Sequence, residues 1–421
     1  MKNERDIEEW ARSNPDFKVY VPTGPRGRDA ENQHFNVVST PNGIFLAFWT
    51  QSSWEGAPDQ HIVMSRSTDL GHTWSKPVEI DGPKRDDPPG TGMASWEFPI
   101  VAPHVLPDRG TRIYCFYNKN VGINDARGCD TGVLRCRYSD DDGVTWSEET
   151  YDYPIEPCAI SHPDPTVPPV WIVYQVPSIT PEGHILAGFT HWASNVVNLG
   201  DMFTRHSEIR FLRFENILTE PDPEKIVVTT WPKGPHGLQV PHPQRPEISV
   251  AQEPTIQAFS NGRLICVMRT LTGRIYFALS EDDGRNWDDP RPLRYKPGGK
   301  EILNPMAPCP LYKLGDGRYL LIFFNNDGTA NGGTGPTDYK RNRTPAWFTV
   351  GEEIPRHPTH PIRFKPPKVL LSNSSIPAGP IGRTEIATYC SFFEHEGKRY
   401  LWYPDRKHFL LGKLITDKIL K

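Results

Sequence analysis

No stretch of this 421-residue chain approaches 18 consecutive apolar residues, which excludes a membrane-spanning helix. Residues 1–17, MKNERDIEEWARSNPDF, hold no apolar core of the kind a secretory leader needs. The expectation is a cytoplasmic protein, with a secreted or periplasmic one as the alternative if a leader has been removed. An excess of positive charge is lacking too. With 47 Lys and Arg against 51 Asp and Glu, the net charge is −4, so nothing argues for nucleic acid or an anionic membrane as partner. The seven cysteines are odd in number and scattered, without C-x-x-C spacing or a His partner pattern. Buried free thiols are expected rather than a disulfide framework or a zinc site. No cofactor or metal is expected either.

What the chain has in plenty is turn residues and aromatics: 34 Gly, 44 Pro and 12 Trp describe a turn-rich β protein. One eight-residue motif, S-x-D-x-G-x-[TN]-W, occurs at Ser67–Trp74, Ser139–Trp146 and Ser280–Trp287. The serines lie 72 and then 141 residues apart, and the second interval is about twice the first, so one copy has decayed between them. A period this long means one supersecondary unit per repeat. The motif reads as a staple between strands, in which Asp and Ser bond the turn backbone, Gly supplies a left-handed position and Trp plugs the turn onto the sheet below.

A second signal shares the period. Strand–turn–strand patterns recur around Gly43, Gly110, Gly183, Gly262, Gly317 and Gly397, averaging about 71 residues apart. Six units, each with an apolar inner hairpin and two outer strands, predict an all-β, six-bladed β-propeller spanning residues 1–421 as one domain, with seven blades as the alternative. The last unit is one strand short. Residues 1–22 are therefore expected to close the ring, with 17–21 (FKVYV) as the missing outer strand. The Pro-rich stretches 83–92, 154–169 and 355–367 are too long for tight turns and are expected as rim loops around a pocket.

Aligning the hairpins exposes polar residues where the inner strands begin, at Gln33, His34, Glu97, Gln175, Glu253, Asn304 and Glu385, and where the second strands end, at Gln51, Asn118, Lys119, His191, Arg269, Asn325 and Arg406. Both ends of a hairpin lie on the same side, so these residues converge on one mouth of the central channel. Carboxylates, histidines and cations together in a concave ring have the composition of an acid–base site with an anion clamp. Trp54, Trp96 and Trp192, near the same mouth, suit either sugar stacking or loop packing.

The staples resemble the Asp-box, or BNR, repeats of sialidases, and the segments around Gln252–Asp283 and Asn304–Pro345 resemble the fourth and fifth blades of a sialidase-like propeller. The resemblance implies that Glu253 polarises a tyrosine nucleophile, with Tyr389 the nearest candidate. It also implies that Arg269 and Arg343 are two of three carboxylate-binding arginines. The first blade departs from that pattern. Asn32–Val37 stands where sialidases carry Arg-Ile-Pro, and Thr50–Glu55 stands where a second arginine and an acidic Asp are expected. In this blade the chain is similar to propeller lyases that cleave uronic-acid glycans, among them rhamnose-glucuronate lyases.

The expectation is thus an enzyme acting on an acidic oligosaccharide or polysaccharide, leaning to β-elimination. Exo-sialidase hydrolysis and a non-catalytic glycan binder are the alternatives. His34, His191, Glu253 and Tyr389 are the catalytic candidates. Gln33, Glu97, Asn118, Lys119, Arg269, Asn304, Asn325, Arg343 and Glu385 are the substrate-binding candidates.

Overall fold

Each glycine-centred pattern folds as the inner hairpin of one sheet in a computed structural model that describes residues 8–421 apart from Arg109 and Arg356. The first blade is Glu31–Ser39, Phe45–Ser52, His61–Ser67 and Val78–Asp81, paired antiparallel in chain order. The second is Ala94–Ala102, Arg112–Lys119, Val133–Ser139 and Tyr151–Tyr153. The third has its inner strand in two pieces, Val170–Ile172 and Ser178–Ile179, followed by Ile185–Trp192, Ser207–Phe214 and Val228–Trp231. The fourth is Ala251–Ala258, Leu264–Thr270, Tyr276–Ser280 and Arg291–Pro292. The fifth is Leu311–Lys313, Tyr319–Phe323 and Ala346–Glu353, whose outer edge pairs with both Ile362–Phe364 and Lys368–Leu371. The sixth is Ser391–His395, Lys398–Asp405 and Phe409–Leu414, with Phe17–Tyr20 as its outer strand. The architecture is a six-bladed β-propeller.

The N-terminal strand runs antiparallel to Phe409–Leu414, with Phe17 opposite Gly412 and Tyr20 opposite Leu410. Phe17 packs at 5.3 Å on Trp402 and Val19 is buried in the same apolar cluster, which also holds Phe45 and Trp49 of the first blade. The closing segment expected at residues 1–22 is seen from Glu8 onward, and its first seven residues lie outside the described part. Similar clusters fill the other gaps between neighbouring blades. Each sheet therefore buries one face on the blade before it and one on the blade after. That is why an inner strand such as Phe45–Ser52 is buried at every position while the outer strand Val78–Asp81 is half exposed.

The staples lie between third and fourth strands of the first, second and fourth blades and act across blades as well as within them. In the first copy Ser67 Oγ donates to Asp69 Oδ1 at 2.8 Å, the Asp69 carboxylate accepts from Thr73 N at 2.9 Å and Thr73 Oγ1 at 2.6 Å, and Gly71 N donates to Ser67 Oγ at 2.9 Å. The tryptophans pack on the preceding blade: Trp74 on Trp402 at 5.5 Å, Trp146 on Phe48 at 5.7 Å and Trp287 on Phe211 at 4.5 Å. Gly71, at φ +87°, lies so close that an added Cβ would meet Trp402 at 2.6 Å, so both backbone conformation and space demand glycine there. The seven cysteines are free thiols, six of them buried. No described helix is long and apolar enough to cross a membrane.

Candidate functional site

The site begins as a repeated irregularity in the inner strands. In the first blade the pairing register shifts between Gln33 and Asn36, in the second between Ser95 and Phe98, and in the fourth between Gln252 and Thr255. The three bulges are equivalent. The residue after the last regular pair takes a left-handed conformation in each: His34 at φ 55°, Trp96 at φ 60° and Glu253 at φ 50°. Tyr389, just ahead of the sixth inner strand, has φ 66°. Non-glycine residues held this way cost about 1–3 kcal/mol each. Here a bulge re-aims three side chains into one mouth.

There they line a cavity of about 200 Å³ together with Glu55, Arg127, Trp192, Phe203, Arg269, Tyr339, Arg343, Arg383 and Lys407. The Tyr389 hydroxyl donates to Glu253 Oε1 at 2.9 Å. Glu253 Oε2 forms an ion pair with Arg269 Nη1 at 2.8 Å, at an angle too poor for a hydrogen bond. Arg269 also holds Gln252 Oε1 through Nε and Nη2. The His34 ring stacks at 4.4 Å on Tyr389 and lies 4.4 Å from Trp96. Its Nδ1 sits 3.2 Å from the Val173 carbonyl, which can only accept. Nδ1 therefore carries the proton and Nε2 is left as an acceptor.

Charges are densely paired around this core. Arg383 joins Glu31, Glu55 and Glu385; Arg343 joins Glu385 at 3.1 Å and the Met306 carbonyl; Lys407 joins Glu55 at 2.9 Å. The Lys407 ammonium also stands 4.9 Å from the centre of the Tyr389 ring. Burial, reinforced by Lys407, lowers the His34 pKa to about 3 and keeps the ring neutral. Burial raises both the Glu253 carboxyl, against the pull of Arg269, and the Tyr389 hydroxyl. Burial also acts upward on Glu55, but Lys407 and Arg383 outweigh it and hold this carboxyl well below its usual range. Resting protonation states follow: a neutral imidazole, a protonated tyrosine and an ionised Glu55.

Of the residues singled out in the sequence, His34, Trp96, Trp192, Glu253, Arg269, Arg343 and Tyr389 share this cavity. Glu385 stands behind it, bonded to Arg343 and Arg383. The others lie elsewhere. Gln33 precedes the bulge residue and is fully buried, its amide without a hydrogen-bond partner among the described residues. Glu97 follows the bulge; Trp96 takes the mouth position of that blade, and Glu97 is buried in the channel, accepting from Thr50 at 2.7 Å. Asn118 ties the carbonyls of Asp130 and Trp171, and Asn304 those of Pro305 and Ala307. Lys119 turns away to a buried ion pair with Asp81 at 2.9 Å. His191 is buried against Cys158 Sγ at 3.5 Å and Ser161 Oγ at 3.2 Å. Asn325, at φ 51°, begins the long connection to Arg343 and does not line the cavity.

Strand-end phase accounts for further differences. Arg406 faces the N-terminal segment and bonds Glu9, so its neighbour Lys407 enters the cavity instead. His61 bonds the Asp59 carbonyl outside the cavity, and Trp54 is half exposed there. Among the Pro-rich stretches, Pro355 and Pro361 pack against the 259–263 turn at the hairpin end of the fold, and no described residue of the three lines the cavity. The rim is built instead from connections that carry Glu55, Arg127, Phe203, Tyr339 and Arg383. Glu55 carried a positional signal in the resemblance; Arg127, Arg383 and Lys407 lie in turns without periodicity and carried none. Among the described residues one acidic–histidine cluster, Glu182, His184 and Asp283, has ligand atoms close enough for a metal. Arg213 Nη2 already bonds all three of its members.

The fold and the stapled turns together define a propeller of the Asp-box class. The sequence profile of the BNR repeat-like domain family matches residues 43–345, and the chain belongs to that family. No curated protein matches the chain. Among solved structures, the Hadza microbial sialidase Hz136 is similar at 14% identity and TM-score 0.59, covering 94% of this chain and 69% of that one. The intramolecular trans-sialidase from Ruminococcus gnavus, in complex with oseltamivir carboxylate, is similar at 14% identity and TM-score 0.56, over 97% of this chain and 98% of that one. The GH93 α-L-arabinofuranosidase of Fusarium graminearum, with arabinobiose, is similar at 11% identity and TM-score 0.55, over 97% and 99%. Identities this low establish a shared fold, and the chemistry has to be argued from the site.

Proposed function

We propose that this propeller cleaves a glycosidic bond at a carboxylate-bearing sugar, by β-elimination at a uronate. The observation that carries the reading is the stacked pair His34 and Tyr389, one a neutral acceptor and the other a protonated donor, in one cavity. Elimination needs both at once. With a substrate carboxylate beside it the His34 ring becomes more basic, because a nearby negative charge favours the imidazolium. Nε2 then takes the proton from the carbon next to the carboxylate, the electron pair forms the ring double bond, the bond to the leaving oxygen breaks, and that oxygen takes the Tyr389 proton. A cation beside the carboxylate stabilises the charge that develops there. At about 200 Å³ the cavity is below the range of about 300–1,000 Å³ that holds larger ligands, so it suits one sugar ring, with Trp96 and Trp192 as flat walls. The substrate class is an acidic oligosaccharide or polysaccharide, and a cytoplasmic location fits short oligosaccharides.

The 2.9 Å bond from Tyr389 to Glu253 favours a second reading, glycoside hydrolysis with Tyr389 as nucleophile. There Glu253 takes the phenolic proton as the Tyr389 oxygen attacks the anomeric carbon, the bond to the leaving oxygen breaks and that oxygen takes a proton from solvent, and water then displaces Tyr389, which regains its proton. Product analysis on a panel of uronate and sialyl oligosaccharides separates the two. An absorbing, ring-unsaturated uronate end supports elimination. Saturated ends or free sialic acid move the assignment to hydrolysis, and no cleavage of any acidic glycan removes both.

A further inference from the structure

We infer that Arg127 is the residue that recognises the sugar carboxylate, a role that rests on the reading of this cavity as a uronate or related acid-sugar site. The resemblance points to Arg269 and Arg343 for that task, but the structure shows both already engaged. Arg269 spends Nε and Nη2 on Gln252 and faces Glu253 with Nη1. Arg343 spends Nη1 on Glu385 and Nη2 on the Met306 carbonyl. All three nitrogens of Arg383 meet carboxylates, and Lys407 meets Glu55. Each of these cations already faces at least one buried carboxylate, Glu253 for Arg269, Glu385 for Arg343, three for Arg383 and Glu55 for Lys407, so its charge is largely compensated before a substrate carboxylate arrives.

Arg127 differs. Only its Nε is used, in a 2.6 Å bond to Asp130 Oδ2, and among the described residues both terminal amino groups are without an acceptor, on a side chain 43% exposed at the cavity. The position is built rather than loose. Asp130 is fully buried and also accepts from Trp96 Nε1 at 2.9 Å. The Arg127 carbonyl accepts from the backbone N–H groups of Asp130 and Thr131 and from Thr131 Oγ1, each at 3.0 Å. A guanidinium fixed at Nε presents its two free amino groups as the planar fork that a carboxylate accepts bidentately. Asp130 ties the guanidinium to Trp96, whose ring lies 4.4 Å from His34, and all three of Arg127, Trp96 and His34 line one cavity. Arg127 is thus a specificity residue, supplying from the second blade a cation that the first blade's inner strand lacks.

The test compares binding of methyl glucuronide and methyl galacturonide with that of their methyl esters, by titration calorimetry on the full chain. The wild-type protein should prefer at least one acid over its ester. Arg127→Met, which keeps the apolar stem, should reduce that preference by about thirtyfold while leaving ester binding unchanged. Arg127→Lys, whose ammonium is drawn to Asp130, should fall between them. Tyr389→Phe should lower cleavage by about a hundred- to ten-thousandfold yet keep the preference. A wild-type protein without acid preference, or an Arg127→Met variant that retains it with an unchanged melting temperature, overturns the role of Arg127. In the second case cleavage sensitive to Tyr389→Phe leaves the catalytic reading standing. Loss of the preference in a protein that turns over no acidic glycan upholds Arg127 and removes the catalytic reading instead.

Discussion

Tyr389 and Glu253, 136 residues apart in sequence, share a 2.9 Å hydrogen bond across the mouth of the propeller. The bond joins the sixth blade to the fourth, and the left-handed backbone at both residues aims each side chain inward. Replacing Tyr389 by Phe should lower turnover by about a hundred- to ten-thousandfold with little change in KM. Steady-state kinetics on the substrate identified by product analysis checks this, and a loss below tenfold would remove Tyr389 from the chemistry.

His34 gives the protein a pH-dependent liability. Its folded pKa, about 3, lies below the ordinary value of 6.5. As pH falls from 6.5 the unfolded chain takes up a proton that the folded ring refuses, so stability is lost through that window down to about pH 3. A His34→Gln variant lacks this group. Its melting temperature, compared with wild type, should therefore recover by about 2 °C or more between pH 7 and pH 4.5. Scanning fluorimetry at both pH values reads the difference, and parallel curves would contradict it.

The closing strand should be indispensable. Phe17–Tyr20 supplies the outer edge of the sixth blade and fills its cluster with the first. Deleting residues 1–22 leaves the edge of Phe409–Leu414 unpaired, so the product should aggregate or fail to melt cooperatively. Phe17→Ala should cost about 3 kcal/mol in denaturant unfolding, and an unchanged midpoint would show that closure does not depend on this contact.

Gly71 tests the staple as a joint between blades. Gly71→Ala forces a Cβ into a left-handed position and within 2.6 Å of Trp402. A loss of about 1–3 kcal/mol is expected, with catalysis at the far end of the channel intact. Asp69→Ala, which removes the acceptor for Thr73 and Ser67, should destabilise in the same direction. Both are measured by urea unfolding alongside turnover.

Period and turn chemistry were legible in the chain. The staples at Ser67, Ser139 and Ser280 and the glycine hairpins state the unit, its number and the need for a borrowed strand, because those signals are local and repeat. The strand-end alignment also reached Glu253, Arg269 and His34. It misplaced the second blade by one residue, choosing Glu97 over Trp96, because a bulge changes which neighbour faces the mouth without changing the sequence pattern around it. The same one-residue ambiguity selected Arg406 over Lys407.

Which cations remain free was decided only by the tertiary structure. Arg127, Arg269, Arg343 and Arg383 are the same residue type in the sequence, and they differ in how the folded ring engages their terminal amino groups: Arg343 and Arg383 meet Glu385 and Glu55 across blade boundaries, Arg269 faces Glu253 within its own blade, and Arg127 is held through Nε alone. The sequence by itself determined the scaffold, since turns and strand periodicity act between near neighbours. The site was decided by ring closure, since pairing, burial and the protonation of His34 depend on groups that meet only when the sixth blade reaches the first.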